Sequence, residues 1–380
     1  MELRLSREQA HWQNRTRQFA ESILVSHAAR MEQVGAFPRE LLMEMRANGL
    51  MGIPIPKAWG GEGADFISYI LSIHEISKVS AAAGVILSVH TSVGTLPILY
   101  YGTDEQKKKY VRKLASGDAL GAFALTEPQA GSDAASIRTT AIREGDYYRL
   151  KGSKMFITNA GEADTYITFA VTNASQGARG ISAFIIERDC PGFIVGRAEK
   201  KMGLHGSNTC EITLEDVRIP VTQRLGHEGE GFVIAMGTLD GGRIGIAAQA
   251  LGIAQAALEL VEGARIRKGD SLARRRRWSS SELDLFAELT TQVEAARLLV
   301  YRAASMRQAG LPCTKESSMA KMFASDTAMR VTGAVVSMLG RQGCTDEYAA
   351  ERLFRDAKVT QIYEGTNEIH RIVISGSMLR

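Results

Sequence analysis

The residue best suited to acid–base chemistry is a glutamate near the end of the chain, Glu364, which stands between Tyr363 and Gly365. A carboxylate beside an aromatic ring and a glycine can lose part of its hydration, which raises its pKa and makes it a better base near neutral pH. A polar run, residues 366–368, follows at once. Because a Glu-Gly pair also ends many helices, the local pattern leaves a helix terminus as the other interpretation.

Two further stretches combine apolar and hydrogen-bonding groups. Residues 123–133 form a short apolar strand and then a loop, in which Thr126, Ser132 and backbone amides can bond the polar edge of a ligand. Residues 156–158 add the aromatic ring of Phe156 beside a hydroxyl. A flavin requires such a lining, with apolar contact for its ring and donors for its polar atoms. A simple Pro-Gly turn is the alternative for the first stretch.

Other patterns that resemble ligand sites lack the context that such sites need. The spaced glycines of residues 226–231 join the predicted β domain to a helix, so we interpret them as a flexible connector rather than a dinucleotide loop. The four cysteines are scattered without a CxxC pair, and the seven histidines lack ligand spacing. We therefore predict no metal site.

Composition limits the classes of function. With 380 residues, of which 45% are hydrophobic, the chain is long enough for two or three domains. Its net charge of +4 is too small to indicate nucleic-acid binding, and its basic run, residues 274–277, is either a solvated face or an anion site. The N-terminus has no apolar signal core, and we see no stretch of about 20 apolar residues. We expect no membrane association and a reducing, cytoplasmic location.

The candidate site residues lie in three segments with different periodicities. The order helical, β and helical predicts an α+β fold. Residues 1–118 are helical, and Ser6 with Gln9 forms a predicted capping box. Residues 119–227 are a compact antiparallel β domain, and residues 228–380 return to a helical period. The runs predicted as strands are residues 154–158, 165–171, 181–186 and 210–214.

Five blocks of sequence together resemble the acyl-CoA dehydrogenase family. Residues 361–369, Gln-Ile-Tyr-Glu-Gly-Thr-Asn-Glu-Ile, resemble that family's signature around its catalytic glutamate. The other similar blocks are residues 125–133, 157–159, 225–232 and 239–252. The resemblance covers the whole chain in one order and is nearest to the short-chain, butyryl-CoA type.

The resemblance implies an N-terminal helical domain, a middle antiparallel β domain and a C-terminal four-helix bundle, with FAD between the last two. It implies that Glu364 takes the α-proton of an acyl thioester, while N5 of the FAD accepts the β-hydrogen as hydride. The flavin-contacting residues that it implies are Phe123, Ala124, Leu125, Thr126, Gly131, Ser132, Phe156, Ile157, Thr158, Thr366, Asn367 and Glu368. The substrate-contacting residues that it implies are Ser132, Asp240, Gly241, Gly242 and Arg243. Some members carry their base on the helix of Gly242, and a glycine there supports Glu364.

The resemblance also implies partners. The substrate would be a short or short branched acyl thioester of coenzyme A or of an acyl-carrier protein, oxidised to the trans-2-enoyl thioester. Electrons would pass to an electron-transfer flavoprotein, and the chain would form a homotetramer or a homodimer. Three alternatives stay open: an acyl-CoA oxidase, a carrier-protein-linked acyl dehydrogenase, and a silent homologue that acts as an assembly partner.

The sequence departs from the family pattern where the adenine and pyrophosphate of FAD would bind. An ungapped alignment replaces the family's Arg, Phe and Gln with Gly269, Leu272 and Ser280. The family's Gln-x-x-Gly-Gly begins here at Ser337 and ends at Arg341. We therefore expect either weaker FAD binding or a phosphate site rebuilt from arginines such as Arg341 and those of residues 274–277.

Overall fold

The structure is a computed structural model that describes residues 4–266, 279–346 and 348–379. Its first part is helical. The predicted capping box at Ser6 is confirmed, because the Ser6 and Gln9 side chains each accept a bond from the other residue's backbone amide. The α-helices are α1 (Arg7–Phe19), α2 (Val25–Val34), α3 (Arg39–Ala47), α4 (Phe66–Val79), α5 (Ala81–Ser88), α6 (Leu96–Tyr101), α7 (Asp104–Gln106) and α8 (Arg112–Ser116).

Three wider π-helical turns continue these helices, at Ala20–Leu24, Val89–Thr95 and Lys107–Val111. The expectation that no segment is long and apolar enough to span a membrane is wrong, if only the length and composition of the helices are considered. Among the residues that the structure describes, two segments meet that criterion, Ala81–Tyr101 and Gly231–Gly263. Both lie mostly inside the protein, as the core helices of a globular domain do.

The middle part is one sheet in the order β6-β7-β3-β2-β4-β5-β8, with β1 beside β4. The prediction of a purely antiparallel sheet is wrong at two pairings, since β1 and β2 both run parallel to β4. The other pairings are antiparallel. The strands are β1 (Gly121–Ala124), β2 (Thr140–Glu144), β3 (Tyr147–Thr158), β4 (Thr165–Val171), β5 (Ile181–Glu187), β6 (Phe193–Ala198), β7 (Thr209–Pro220) and β8 (Arg224–Leu225).

The C-terminal part is helical again. Among the described residues it contains three long helices and two short ones. They are α9 (Gly231–Ile266), α10 (Ser280–Gln308), α11 (Thr314–Leu339), α12 (Ala350–Thr360) and α13 (Asn367–Met378). Helix α9 packs against α4, α11 and α12, so it lies in the centre of the molecule.

The helical N-terminal part and the sheet meet backbone to backbone. Gly94, in the π-helical turn after α5, lies against Gly121 at the start of β1, and a Cβ added to Gly94 would lie 2.9 Å from the Gly121 Cα. The Gly121 amide donates to Nδ1 of buried His90 over 3.1 Å. The buried Asn159 amide donates to the carbonyls of Ile86 and Gly121, each over 3.2 Å. These bonds fix β1 and the end of β3 against the helices.

Candidate active site

Glu364 lies in the short connection between α12 and α13. Its φ is 55°, in the left-handed region that side chains other than glycine rarely adopt, and Gly365 follows with a φ of 94°. Such a conformation persists only where surrounding contacts hold it, and it is common at functional sites. Residue Glu364 is half-buried, and its Oε2 atom is enclosed without a hydrogen-bond partner among the described residues.

The carboxylate of Glu364 lies directly against helix α9 at Gly242. A Cβ added to Gly242 would lie 2.5 Å from Glu364 Oε2 and 2.9 Å from its Cδ. Since real Cβ contacts are never that short, only glycine allows the carboxylate this position. The structure therefore brings together Glu364 and Gly242, two of the residues predicted for the site.

Burial raises the pKa of Glu364 to about 7, while Arg243 and then Lys321 pull it in the opposite direction. Arg243 is itself buried on α9 and donates to Asp240 over 3.0 Å. Asp240 also accepts a 2.6 Å bond from Thr314 at the start of α11. Arg243 Nε has no partner among the described residues, so this cation keeps one donor free near the carboxylate.

Side chains of α11 hold the connection that carries Glu364 by hydrogen bonds. Lys321 is fully buried and donates to the Gly365 carbonyl over 2.7 Å and to Asn367 Oδ1 over 3.1 Å. The Asn367 amide group donates to Ser325 Oγ over 2.9 Å and to Asp326 over 2.8 Å. The side chain of Asn367, predicted to hold the flavin, is thus directed into the protein.

Tyr363 fixes the other side of the same connection. Its hydroxyl donates to Gln249 of α9, and Gln249 donates to the Ala81 carbonyl over 2.6 Å. Burial raises the pKa of Tyr363, so the phenol stays neutral and acts as a donor. The connection that carries Glu364 is therefore joined to α5 through α9.

The residues predicted to line a flavin lie on β1, β3 and the loop after β1. The Met155 amide donates to the Thr126 carbonyl over 2.8 Å, which places the two stretches side by side. A bulge shifts the register of β3 against β7 between Lys154 and Ile157. Within it Phe156 has a φ of 57°, and the residue is 61% exposed. The bulge thus turns the aromatic ring of Phe156 outward. The backbone of Phe156 is strained, and strained backbone of this kind is common at ligand sites.

A buried ion pair supports this lining. Lys154 Nζ lies 2.8 Å from Glu127 Oε1, and both side chains are buried. Lys154 also donates to the Leu125 carbonyl over 3.2 Å, and Glu127 accepts from the amides of Arg138 and Thr139. Burial opposes ionisation of Glu127, but Lys154 and these donors outweigh it and lower the Glu127 pKa to about 2.

Sequence models of three acyl-CoA dehydrogenase domains match the chain. The N-terminal domain model matches residues 6–118, the middle domain model residues 122–217 and the C-terminal domain model residues 229–379. An acyl-CoA dehydrogenase of Bacillus subtilis is 55% identical over 99% of both chains. This chain belongs to the acyl-CoA dehydrogenase family.

Solved structures of family members and their complexes have the same fold. The butyryl-CoA dehydrogenase of Megasphaera elsdenii is 44% identical, with a TM-score of 0.95 over the full length of both chains. A chain in a structure of the electron transferring flavoprotein of Acidaminococcus fermentans is 47% identical, with a TM-score of 0.96 over the full length of both chains. The expected resemblance to the short-chain, butyryl-CoA type is confirmed.

Several residues expected in this acyl-CoA dehydrogenase site lie apart from Glu364 or have structural contacts of their own. Thr366 caps helix α13, and exposed Glu368 pairs with Arg371 at 3.4 Å. Gly131 and Ser132 are exposed in the loop after β1, and no hydrogen bond joins Ser132 to the buried Asp240–Arg243 pair within the described residues.

The remaining predicted lining residues differ in exposure. Phe123 is half-buried, with its ring centroid 5.0 Å from that of Phe169. Ala124, Leu125 and Ile157 are buried, whereas Thr126 and Thr158 are half-buried. Gly241 packs against Arg307, since a Cβ added there would lie 4.0 Å from the Arg307 Nε.

The residues that differ from the family pattern on the adenine side of FAD lie partly within the described residues. Gly269, Leu272 and residues 274–277 lie outside the described residues. Ser280 is exposed at the start of α10, and Ser337 is exposed and donates to the Gly333 carbonyl over 3.1 Å. The side chain of Arg341 is exposed in the turn after α11.

Sequence reasoning missed Lys321 and the Lys154–Glu127 pair. A helical count could have indicated Lys321, because it shares the buried face of α11 with Ser317, Ala324 and Ala328. A lysine among buried small residues must have nearby acceptors, and the acceptors here belong to the connection that carries Glu364.

Proposed function

We propose that this acyl-CoA dehydrogenase removes the α-proton of a short acyl thioester with Glu364, while the β-hydrogen leaves as hydride to FAD. The observation that carries the proposal is the enclosed Oε2 of Glu364, which has no partner in the part of the chain that the structure describes and which Gly242 allows to lie against α9. An unpaired buried carboxylate oxygen is costly, so its presence is best explained by a partner supplied by the substrate.

The described residues fit the ring half of FAD. Phe156 is turned outward by the bulge, and the backbone of residues 125–126 is fixed beside it by Lys154 and Met155. These residues would hold the flavin ring. When bound, FAD supplies the acceptor for the β-hydrogen and its electron pair.

The protein's own contribution is a positioned base whose pKa is near the operating pH. The α-proton of a thioester is weakly acidic, so its removal needs a base held close to it together with polarisation of the carbonyl. With a pKa of about 7, Glu364 is ionised above neutral pH and still basic enough to accept the proton. In the free enzyme, activity should therefore rise with pH through about 7 on the acid side of the profile.

The test is Glu364→Gln, which nearly conserves the side-chain shape but cannot accept the proton. We expect flavin content and fold to be retained, and turnover of butyryl-CoA to fall by several orders of magnitude. Glu294→Gln, at an exposed ion pair on α10, is the matched control. Near wild-type turnover in Glu364→Gln would move the base elsewhere.

The partners follow from the same proposal. The substrate would be a coenzyme A thioester with a short or short branched acyl group, as the similarity to butyryl-CoA dehydrogenase favours. An electron-transfer flavoprotein would reoxidise the FAD, which the similarity to a chain in the Acidaminococcus structure supports. Oxygen consumption without such a partner would instead select the oxidase alternative, and faster turnover of an acyl-carrier-protein thioester the carrier-linked one.

Assembly and location complete the proposal. The chain would act as a homotetramer or a homodimer, which sedimentation of the FAD-loaded protein would resolve. A reducing, cytoplasmic location is supported by the four cysteines, all of which are free thiols. Fractionation of the source cells with an antibody would test this location.

A further inference from the structure

Lys321 is a buried lysine that bonds to the backbone next to the proposed base. It lies in the N-terminal half of α11 and has no exposed surface. Its Nζ donates to the Gly365 carbonyl over 2.7 Å and to Asn367 Oδ1 over 3.1 Å. Burying an ammonium group is costly, so a lysine retained here must stabilise something that a neutral side chain would not.

The backbone that Lys321 holds is in an unusual conformation. Glu364 and Gly365 both have left-handed φ values, 55° and 94°. A Cβ added to Gly365 would lie 3.2 Å from the His370 ring, so the connection also fits tightly against α13. The bond from Lys321 to the Gly365 carbonyl therefore holds the Gly365–Thr366 peptide, one residue beyond Glu364, and with it the short connection that carries the Glu364 side chain.

The other charges around Lys321 are largely paired with one another. On α9, Arg243 pairs with Asp240 at 3.0 Å. On α11, Asp326 accepts from Asn367 and Gln361 and lies 3.8 Å from Arg371. On α13, Glu368 pairs with Arg371, and burial lowers the pKa of His370 to about 3, so its ring is neutral. Among these described groups, Glu364 is the carboxylate without an ion-pair partner of its own.

We propose that Lys321 is a positioning residue for the base: it fixes the Glu364–Gly365 backbone and provides the positive charge that favours the ionised carboxylate. This inference rests on the proposed role of Glu364. Both directions of the interaction agree with it, since the Lys321 charge lowers the pKa of Glu364 and the Glu364 charge raises the pKa of Lys321. Burial still dominates each group and brings both pKa values to about 7.

The experiment compares Lys321→Met, which removes donor and charge, with Lys321→Gln, which keeps a donor without charge. Lys315→Met, at a half-exposed lysine near the start of the same helix, is the matched control. We expect the acid limb of kcat/KM to move up by about one pH unit in both Lys321 variants, because a nearby opposite charge is lost. Activity at pH 6.5 would then fall about tenfold. At high pH, kcat would recover in Lys321→Gln but stay low in Lys321→Met.

A folding measurement checks the same contact without turnover. Unfolding free energies of FAD-free wild type, Lys321→Met, Glu364→Gln and the double variant at pH 7, where part of each group is charged, should be non-additive, since the two groups interact. If Lys321→Met does not fold, Lys321→Gln takes its place in the cycle. An unmoved acid limb in both variants, or an additive cycle, would overturn the inference.

The two failures are distinguishable. If Glu364→Gln keeps its turnover, the proposed function fails, whereas the folding cycle still reports whether Lys321 and Glu364 interact. If Glu364→Gln is inactive while both Lys321 variants match Lys315→Met, the inference about Lys321 fails alone.

Discussion

At the scale of single residues, the position of the proposed base, Glu364, depends on a residue that has no side chain. Gly242 leaves the volume that the Glu364 carboxylate occupies. We expect Gly242→Ala to displace the carboxylate and to lower kcat by roughly 100-fold, because small misplacements of a catalytic group are costly. Gly263→Ala is the control on the same helix, because a Cβ added there meets none of the described atoms within 4 Å, and it should leave turnover unchanged. Equal kcat values for the two variants, measured with butyryl-CoA, would contradict the assigned contact.

The same carboxylate should make wild type less stable at high pH. The folded-state pKa of Glu364 is about 7, above its ordinary value of 4.5, so folding favours the protonated form. Its contribution to stability is therefore present below about pH 4.5 and is lost as pH rises through 7. We expect FAD-free Glu364→Gln to exceed wild type by roughly 1–3 kcal/mol at pH 8.5 and to match it at pH 4.5. Urea unfolding at the two pH values measures this, and a difference that does not change with pH would contradict it.

At the scale of elements, the bulge in β3 and the loop after β1 depend on one ion pair. Lys154→Met would leave Glu127 buried without its cation, at a cost of about 3–5 kcal/mol in unfolding free energy. Flavin content should fall as well, because Lys154 also holds the Leu125 carbonyl. Lys151→Met, at an exposed lysine of the same strand, is the control. The double variant Lys154→Met, Glu127→Gln should regain part of the loss, and failure to regain any would mean that the charge is not the cause.

The elements also show which parts of the fold are predictable from sequence. Strand β4 has the predicted bounds, residues 165–171, because a β-branched run there lies between turn residues. Strand β6 (Phe193–Ala198) was not predicted, because it is an edge strand with largely exposed side chains and a glycine, which weakens any period-2 pattern. The parallel pairings of β1 and β2 with β4 were missed because pairing direction depends on contacts between distant segments.

The candidate site was predictable to a different degree. The sequence blocks predict Glu364 as the base and Gly242 as a substrate contact, because the family likeness names positions directly, whereas the contact between the two residues is seen only in the structure. The Phe156 bulge and the inward direction of Asn367 were not predictable, since they depend on backbone dihedral angles and tertiary contacts. Local sequence does not encode which acceptors a buried lysine such as Lys321 will meet.

At the scale of the whole molecule, one arginine joins all three parts of the chain. Arg355 of α12 lies 2.6 Å from Glu32 of α2 and 2.7 Å from Glu351, and it donates to the Met202 carbonyl over 3.2 Å. Arg355→Met should lower the unfolding free energy by roughly 1–3 kcal/mol, since it removes all of these bonds at once. Arg330→Met, at a surface pair with Glu288, should cost less than about 1 kcal/mol. Equal costs in chemical denaturation would show that the junction is not special.

FAD retention is the other property of the whole molecule that the sequence makes testable. Each missing neutral hydrogen bond on the adenine side would cost about 0.5–1.5 kcal/mol of binding. We expect either FAD that dissociates on gel filtration or binding that is lost in the triple variant Arg275→Ala, Arg276→Ala, Arg341→Ala. Arg112→Ala, at an exposed arginine of α8, is the control in the same FAD titration. Tight binding by wild type and triple variant alike would mean that the alignment of residues 262–282 is misplaced.

The contact between Gly94 and Gly121 has a consequence for how this protein can evolve. Any side chain on Gly94 would meet the Gly121 backbone at 2.9 Å, and any side chain on Gly121 would meet Gly94 at 3.0 Å. Neither substitution makes room for the other, because each glycine is blocked by backbone rather than by a side chain that could shrink. A single substitution at either position should therefore be disfavoured, and we expect lineages with this domain packing to carry both glycines or to have moved the sheet and the helices apart together.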